Sequence, residues 1–148
     1  AGWQSAPDMP DPRCHFSTAV VDGKIYVMGG QHDHENHVGQ SAAVHRYDPV
    51  SKKWEQLADL PTPKSHAESS TFVRNGRIIM AGGQIGRFGS TDEVVSYDPA
   101  TNKWTQIGKL PVPLQSGFAM LDGNKIIVTI GNYGDGTPRG NTWIGELE

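Results

Sequence analysis

The chain has 148 residues, enough for one domain with a packed core. Its net charge of −3 argues against nucleic acid or an anionic membrane surface as the main partner, and no apolar run is long enough to cross a bilayer. The single cysteine, Cys14, excludes an internal disulfide, while 18 Gly, 10 Pro and 4 Trp describe a chain of many turns and sparse large aromatics, an all-β profile. The opening residues carry no secretory signal pattern, and Leu147-Glu148 matches the pair that a common cloning junction leaves behind.

Taken in chain order, the segments repeat. Trp3-Gln4-Ser5 reads as a short strand, followed six residues after the tryptophan by Met9 and then by Pro10 and Pro12. A first strand is expected over 16–21, a tight turn at Asp22-Gly23 and a β-branched strand over 24–29, ending on Gly29-Gly30. A polar loop over 31–42 leads to a third strand closing on Tyr47-Asp48-Pro49, whose proline presets a turn into a fourth strand carrying Trp54. The second unit repeats this order. Leu60, Pro61 and Pro63 precede a strand over 69–74, a turn at Asn75-Gly76, a strand over 77–82 with Gly82-Gly83, a loop over 84–92, Tyr97-Asp98-Pro99 and Trp104. The third unit has Leu110, Pro111, Pro113, strands over 116–121 and 125–130, and a loop over 132–140, and ends on Trp143-Ile144-Gly145. Trp3, Trp54 and Trp104 recur at intervals of 51 and 50 residues, and no segment keeps a 3.6-residue apolar period. Each unit therefore reads as four antiparallel strands, with Tyr and Trp supplying the area buried between units; Trp54 and Trp104 are expected to be largely buried there.

The glycine doublet, then Tyr47 or Tyr97, then Trp54 or Trp104, at a period near 50, resembles the kelch motif. The resemblance runs along essentially the whole chain. It implies an all-β kelch-type β-propeller of three four-stranded blades: blade one at 13–57, blade two at 64–107, and three strands of blade three at 115–147. Residues 1–6 would supply the fourth strand of the closing blade. The third unit departs from the motif, with Ile130-Gly131 in place of the doublet and no Tyr-Asp-Pro strand. Propellers usually close with four to eight blades, so the three-blade length predicts a two-fold homodimer forming one six-bladed ring. In that ring Trp3-Gln4-Ser5 of one chain pairs with strand 141–147 of the other.

In such a propeller the connectors entering each blade and the long loops after its second strand share the face around the channel mouth. The candidate ligand-binding residues are therefore Arg13, His15, Gln31, His32, His34, His66, Gln84, Arg87, Tyr133 and Arg139, mixed donors and aromatics suited to a polar ligand. The resemblance implies partners or sugars bound on this face, so the chain reads as a non-catalytic recognition module for a protein segment or a polar or anionic glycan. Two alternatives stand beside it. One is a carbohydrate-active enzyme like the kelch-type sialic acid epimerases, with Glu68 and the arginines addressing an anionic sugar. The other is an engineered or fragmentary scaffold without a ligand. The run His32-Asp33-His34-Glu35-Asn36-His37 has ligand spacing for Zn, Ni or Cu, but the other units lack a counterpart, and neither a native metal nor another cofactor is expected.

Overall fold

The computed structural model describes residues 2–33 and 38–146. His34, His37 and the Leu147-Glu148 pair thus lie outside the described residues. In chain order the strands are β1 (Ser17–Val21), β2 (Lys24–Met28), β3 (Gln31–Asp33), β4 (Val38–Gln40), β5 (Val44–Asp48), β6 (Lys53–Gln56), β7 (Thr71–Arg74), β8 (Arg77–Ala81), β9 (Gln84–Ile85), β10 (Gly89–Asp98), β11 (Lys103–Leu114), β12 (Phe118–Asp122), β13 (Lys125–Thr129) and β14 (Thr142–Glu146). Every pairing between them is antiparallel, and they form three main sheets: β1-β2-β5-β6, then β7-β8-β10-β11, then β12-β13-β14. Strand β3 pairs with β4, and β9 pairs with the start of β10, so each of the first two long loops is stiffened by a small ladder.

The expected strand starts hold to within two residues in every unit. In the second unit residues 68–70 form a 3₁₀ turn just ahead of the strand, which begins at Thr71. Ser70 draws the chain in, since its hydroxyl donates to the carbonyls of Ala67 and Ala81 at 3.3 and 2.6 Å. Strands β10 and β11 are also longer than the repeat suggests. They continue through two register shifts until β11 absorbs Pro111 and Pro113, and a proline is tolerated where the ladder is already irregular.

The first strands of adjacent sheets lie close together, β1 beside β7 and β7 beside β12, and so mark the narrow end of each unit. The core follows from strand alternation in the middle sheet. On β8, Ile78 and Met80 face the first sheet, where they meet Tyr26, Met28 and Val44, with Val95 and Tyr97 beside them. Ile79 and Ala81 face the third sheet and meet Ala119, Ile126 and Val128. One sheet therefore serves two hydrophobic layers, which is why its strands read as nearly continuous apolar runs.

The tyrosine and tryptophan of each repeat divide the work unequally. Tyr97 is fully buried, packs edge-on against Tyr26 at 6.1 Å and donates its hydroxyl to Asn102 Oδ1 at 2.7 Å. Burial pushes its phenol up to about 12, so it stays neutral. Trp54 and Trp104 are only half-buried, contrary to the expectation. Each lies over the tyrosine across the strand pair, at 5.0 and 4.9 Å, and turns its indole N–H to a neighbouring unit's carbonyl, Pro7 or Ala58, at 3.0 Å. The ring is thus a cover on the junction, not its filling.

Register places Tyr47, Tyr97 and Gly145 at the same position, opposite Ile25, Ile78 and Ile126. With no ring at 145, a cavity of about 170 Å³ opens between the second and third sheets, lined by Val94, Leu110, Ile126, Val128, Trp143 and Gly145. Two stability effects are expected in urea titrations. Tyr97→Ala should cost about 3–5 kcal/mol and Trp54→Ala distinctly less. Gly145→Tyr should raise stability by about 0.5–2 kcal/mol, because a Cβ there meets only Ile126 Cγ2, at 3.5 Å, and the ring has a cavity to enter.

Candidate functional site

The connector entering each unit is clamped to the start of that unit's long loop. Cys14 bridges to Gln31, Ser65 to Gln84 and Gln115 to Asn132. Connectors and loops therefore share one end of the molecule. Behind this end the connectors are also tied to each other: His66 N–H donates to the His15 carbonyl at 3.3 Å, and Ser116 N–H to the His66 carbonyl at 2.8 Å. His15, His66 and Ser116 all sit in the left-handed region, at φ 50, 55 and 51. Non-glycine residues persist there only where the surroundings over-determine the backbone, as this hoop of hydrogen bonds does.

The hoop brings two of the expected residues face to face. The imidazoles of His15 and His66 stack at 4.1 Å with planes 12° apart. His15 Nδ1 is 3.2 Å from Glu68 Oε1, and His66 Nδ1 is 2.8 Å from Ser65 Oγ. Glu68 owes its position to the 3₁₀ turn, which lifts it off the strand path.

Arg13 is placed differently. Its side chain is fully buried, and its donors are spent on the protein: Nε on the Gly29 carbonyl, Nη1 on Asp11 at 2.7 Å (carbonyl) and 3.1 Å (carboxylate), and Nη2 on the Ala43 carbonyl at 3.0 Å. The carboxylate of Asp11 in turn meets His32 Nε2 at 2.8 Å, while His32 Nδ1 approaches the Gly39 carbonyl at 3.0 Å. These contacts raise the His32 imidazole above its ordinary range, the Asp11 hydrogen bond most, and lower the Asp11 carboxyl. Buried His45, with Nδ1 3.4 Å from Arg13 Nη2, is held below the ordinary range by burial and then by the guanidinium. Lys64 occupies the repeat position of Arg13. It is 1% exposed, its ammonium reaches Glu93 Oε2 at 3.1 Å, and burial lowers its pKa against the pull of that carboxylate. Asp11, His45, Lys64 and Glu93 were not singled out in the sequence. The alignment of Lys64 with Arg13 was the available signal.

Gln31 and Gln84 are buried and brace their own loops, donating from Nε2 to the Asp33 and Arg87 carbonyls at 3.1 and 2.7 Å. Of the other two candidate arginines, Arg87 is exposed and Arg139 half-buried. Arg87 lies over the Phe88 ring at 5.1 Å, and Arg139 lies over Tyr133 at 5.0 Å while pairing with Asp135 at 2.5 Å. Tyr133 donates to Asn141 Oδ1 at 3.0 Å, which fixes its ring. Gly134 runs against the Phe88 carbonyl and Ser90, so the second and third loops touch and the two arginine–aromatic pairs are neighbours. The connector and loop end therefore holds stacked imidazoles and two cation-topped rings, while Arg13, Gln31 and Gln84 form its supports. Among the described residues no group of three His, Cys, Asp or Glu is placed to hold a metal, and no helix is long and apolar enough to cross a membrane.

Antiparallel sheets stacked through alternating faces, with a glycine doublet, a tyrosine and a tryptophan at fixed places, define a β-propeller of the kelch type. The family model described as the KLHDC2/KLHL20/DRC7 Kelch-repeats domain matches residues 2–135, and the chain belongs to the kelch-repeat family. An F-box/kelch-repeat protein of Arabidopsis thaliana is 36% identical over 70 residues, 47% of this chain and 18% of that protein. N-acetylneuraminate epimerase 1 of Escherichia coli O6:H1 is 35% identical over 83 residues, 55% of this chain and 22% of the epimerase. The solved structure of YjhT superposes with a TM-score of 0.85 at 21% identity, over 99% of this chain and 53% of that one. The chain thus spans under a quarter of these two relatives and about half of the solved propeller.

The His32–Asp11 contact fixes a pH dependence. A raised histidine contributes stability below pH about 6.5, lost as pH rises through its folded pKa, and a lowered aspartate contributes above about 3.8. Their common window is mildly acidic. The melting temperature lost in His32→Gln should therefore be larger at pH 5.5 than at pH 8, as read by thermal scans of both proteins.

Proposed function

We propose that this chain is a half-propeller recognition module whose connector and loop end binds an anionic glycan or protein segment without chemistry. Its three sheets would be three blades, and two copies would close one six-bladed ring. The observation that carries the binding reading is the two arginine–aromatic contacts on touching loops, Arg87 over Phe88 and Arg139 over Tyr133. An arginine held over an aromatic ring presents a planar fork of donors suited to a carboxylate. His15, His32, His66 and Tyr133 would extend the contact, and Arg13, Gln31 and Gln84 would hold the loops in shape. The likeness to an epimerase named for N-acetylneuraminate, an acidic sugar, supports the choice of an anion.

A second reading, a carbohydrate-active enzyme, is favoured by the His15–Glu68 contact at 3.2 Å beside the stacked His66. A carboxylate and an imidazole in contact can share proton transfer to and from a sugar. The two readings separate on turnover of N-acetylneuraminate followed by NMR, which the recognition reading expects to be nil.

For recognition, titration with N-acetylneuraminate and with sialylated and neutral glycans is the direct measurement. Arg87→Ala combined with Arg139→Ala should weaken the sialylated ligands about tenfold or more, with the melting temperature nearly unchanged. An intact protein that binds nothing in glycan and acidic-peptide panels would instead be a scaffold.

A further inference from the structure

We propose that the junction between the second and third sheets binds a small aromatic carboxylate, its ring taking the place of the tyrosine that the third sheet lacks and its acid group held by Arg74. The site is separate from the connector and loop end, is walled by two sheets of one chain, and does not depend on the ring reading.

The two junctions within the chain use the same positions and fill them differently. On the face that the first sheet turns to the second, Val21 and Tyr26 are buried and Arg46 lies over the Tyr26 ring at 6.0 Å. The Arg46 guanidinium pairs with Glu55, directly across the strand pair, at 2.5 Å. Tyr97 of the second sheet closes this junction by packing against Tyr26. Strand register carries the same positions to the face that the second sheet turns to the third. There Arg74 stands for Val21, Ile79 for Tyr26, Ser96 for Arg46 and Thr105 for Glu55, and Gly145 answers from the third sheet where Tyr97 did. An aromatic pair and a carboxylate are gone from this place, and the guanidinium has moved from the third strand of the unit to the first.

The space they leave is measurable. The apolar cavity at Gly145, of about 170 Å³, is walled by Ile126, Val128 and Trp143. An apolar cavity of about 150 Å³ is enough to take up one benzene ring. A second hollow of about 330 Å³ adjoins it at Ile107, which lines both, and is bordered by Arg74, Arg77, Ile79 and Ser96. Arg74 and Arg77 flank the Asn75-Gly76 turn, at the far end of the second sheet from its glycine doublet and loop.

The polar groups of the hollow do not satisfy one another. Ser96 is 3% exposed, and its hydroxyl has no hydrogen-bond partner among the described residues. Arg74 donates to the Asn124 amide oxygen at 3.3 Å, and no carboxylate reaches it among the described residues. Arg77, across the hairpin, is already tied to Asp98 at 2.8 Å. A guanidinium without its carboxylate and a ring-sized hole without its ring therefore share one junction. A benzene or indole ring with a carboxylate on a short arm supplies both. The ring goes against Ile79 and Ile126, and the acid takes charge-assisted hydrogen bonds from Arg74, with the Ser96 hydroxyl as a further donor. One unpaired guanidinium beside mostly apolar walls suits a single carboxylate on an apolar body better than a phosphate.

The test is calorimetric titration of the unaltered protein with phenylacetate, 3-phenylpropionate and indole-3-acetate. At least one should bind with sub-millimolar affinity and change the tryptophan fluorescence, because Trp143 lines the cavity. Phenylacetamide, which keeps the ring without the charge, and acetate, which keeps the charge without the ring, should each bind about tenfold more weakly or worse. Arg74→Ala should weaken the acids about tenfold or more and leave the amide unaffected. Gly145→Tyr should abolish binding of the acids while raising the urea midpoint, and Gly145→Leu gives a second block should the tyrosine variant not fold. No binding by any of the three acids overturns the proposal. So does an acid that binds a folded Gly145→Tyr or Gly145→Leu protein unchanged, and so does binding that survives Arg74→Ala but is lost when Arg87 and Arg139 are both changed to alanine.

Discussion

The carbonyl oxygens of Lys64 and Leu114 each press into the preceding unit at the glycine doublet, and the rest of the arrangement depends on that approach. Each accepts a hydrogen bond from the second glycine, and each lies so near the first that no side chain could be carried there. A left-handed backbone at the doublet turns the chain out of the second strand into the loop and opens the space into which the connector drops. Once the connector is seated, the next unit's strands are set in angle and distance. The two hydrophobic layers on either side of the middle sheet can then fill.

The same approach places the polar groups. A connector held by its backbone projects Arg13 and Lys64 inward, where burial would be costly without partners. Arg13 therefore saturates itself on carbonyls and Asp11, and Lys64 takes Glu93. The side chains that follow in each connector, His15 and His66, are carried to the hub and stacked. Buried and hub-facing groups thus alternate along a few residues of connector: Arg13 and Lys64 lock the units, and His15 and His66 are carried to the hub.

The third unit shows what happens when the pattern lapses. Gly145 in place of a tyrosine leaves a cavity, and Ile130 in place of a glycine keeps a left-handed backbone that a β-branched residue adopts only under strain of about 1–2 kcal/mol. Both departures were visible as letters. Their meaning depends on what lies across the junction, which no single unit contains.

The sequence by itself determined the repeat, the strand order within each unit, the turn positions and the kelch identity, because all of these are local: a tight turn needs its glycine, and a proline after Tyr-Asp ends its strand. It also determined that connectors and loops would share one end, through the family likeness. Only the tertiary structure decided which candidate residues face outward. Arg13, Gln31 and Gln84 read like Arg87 and Arg139 as polar candidates, yet the first three are buried as braces, while exposed Arg87 and half-buried Arg139 lie over aromatic rings. The half-burial of Trp54 and Trp104, the 3₁₀ turn that lifts Glu68, and the charge shared by Asp11 and His32 were likewise settled by contacts between segments far apart in sequence. Propensity and spacing describe a residue's own strand. What a side chain meets across a junction is fixed by packing, and packing is a property of the whole chain.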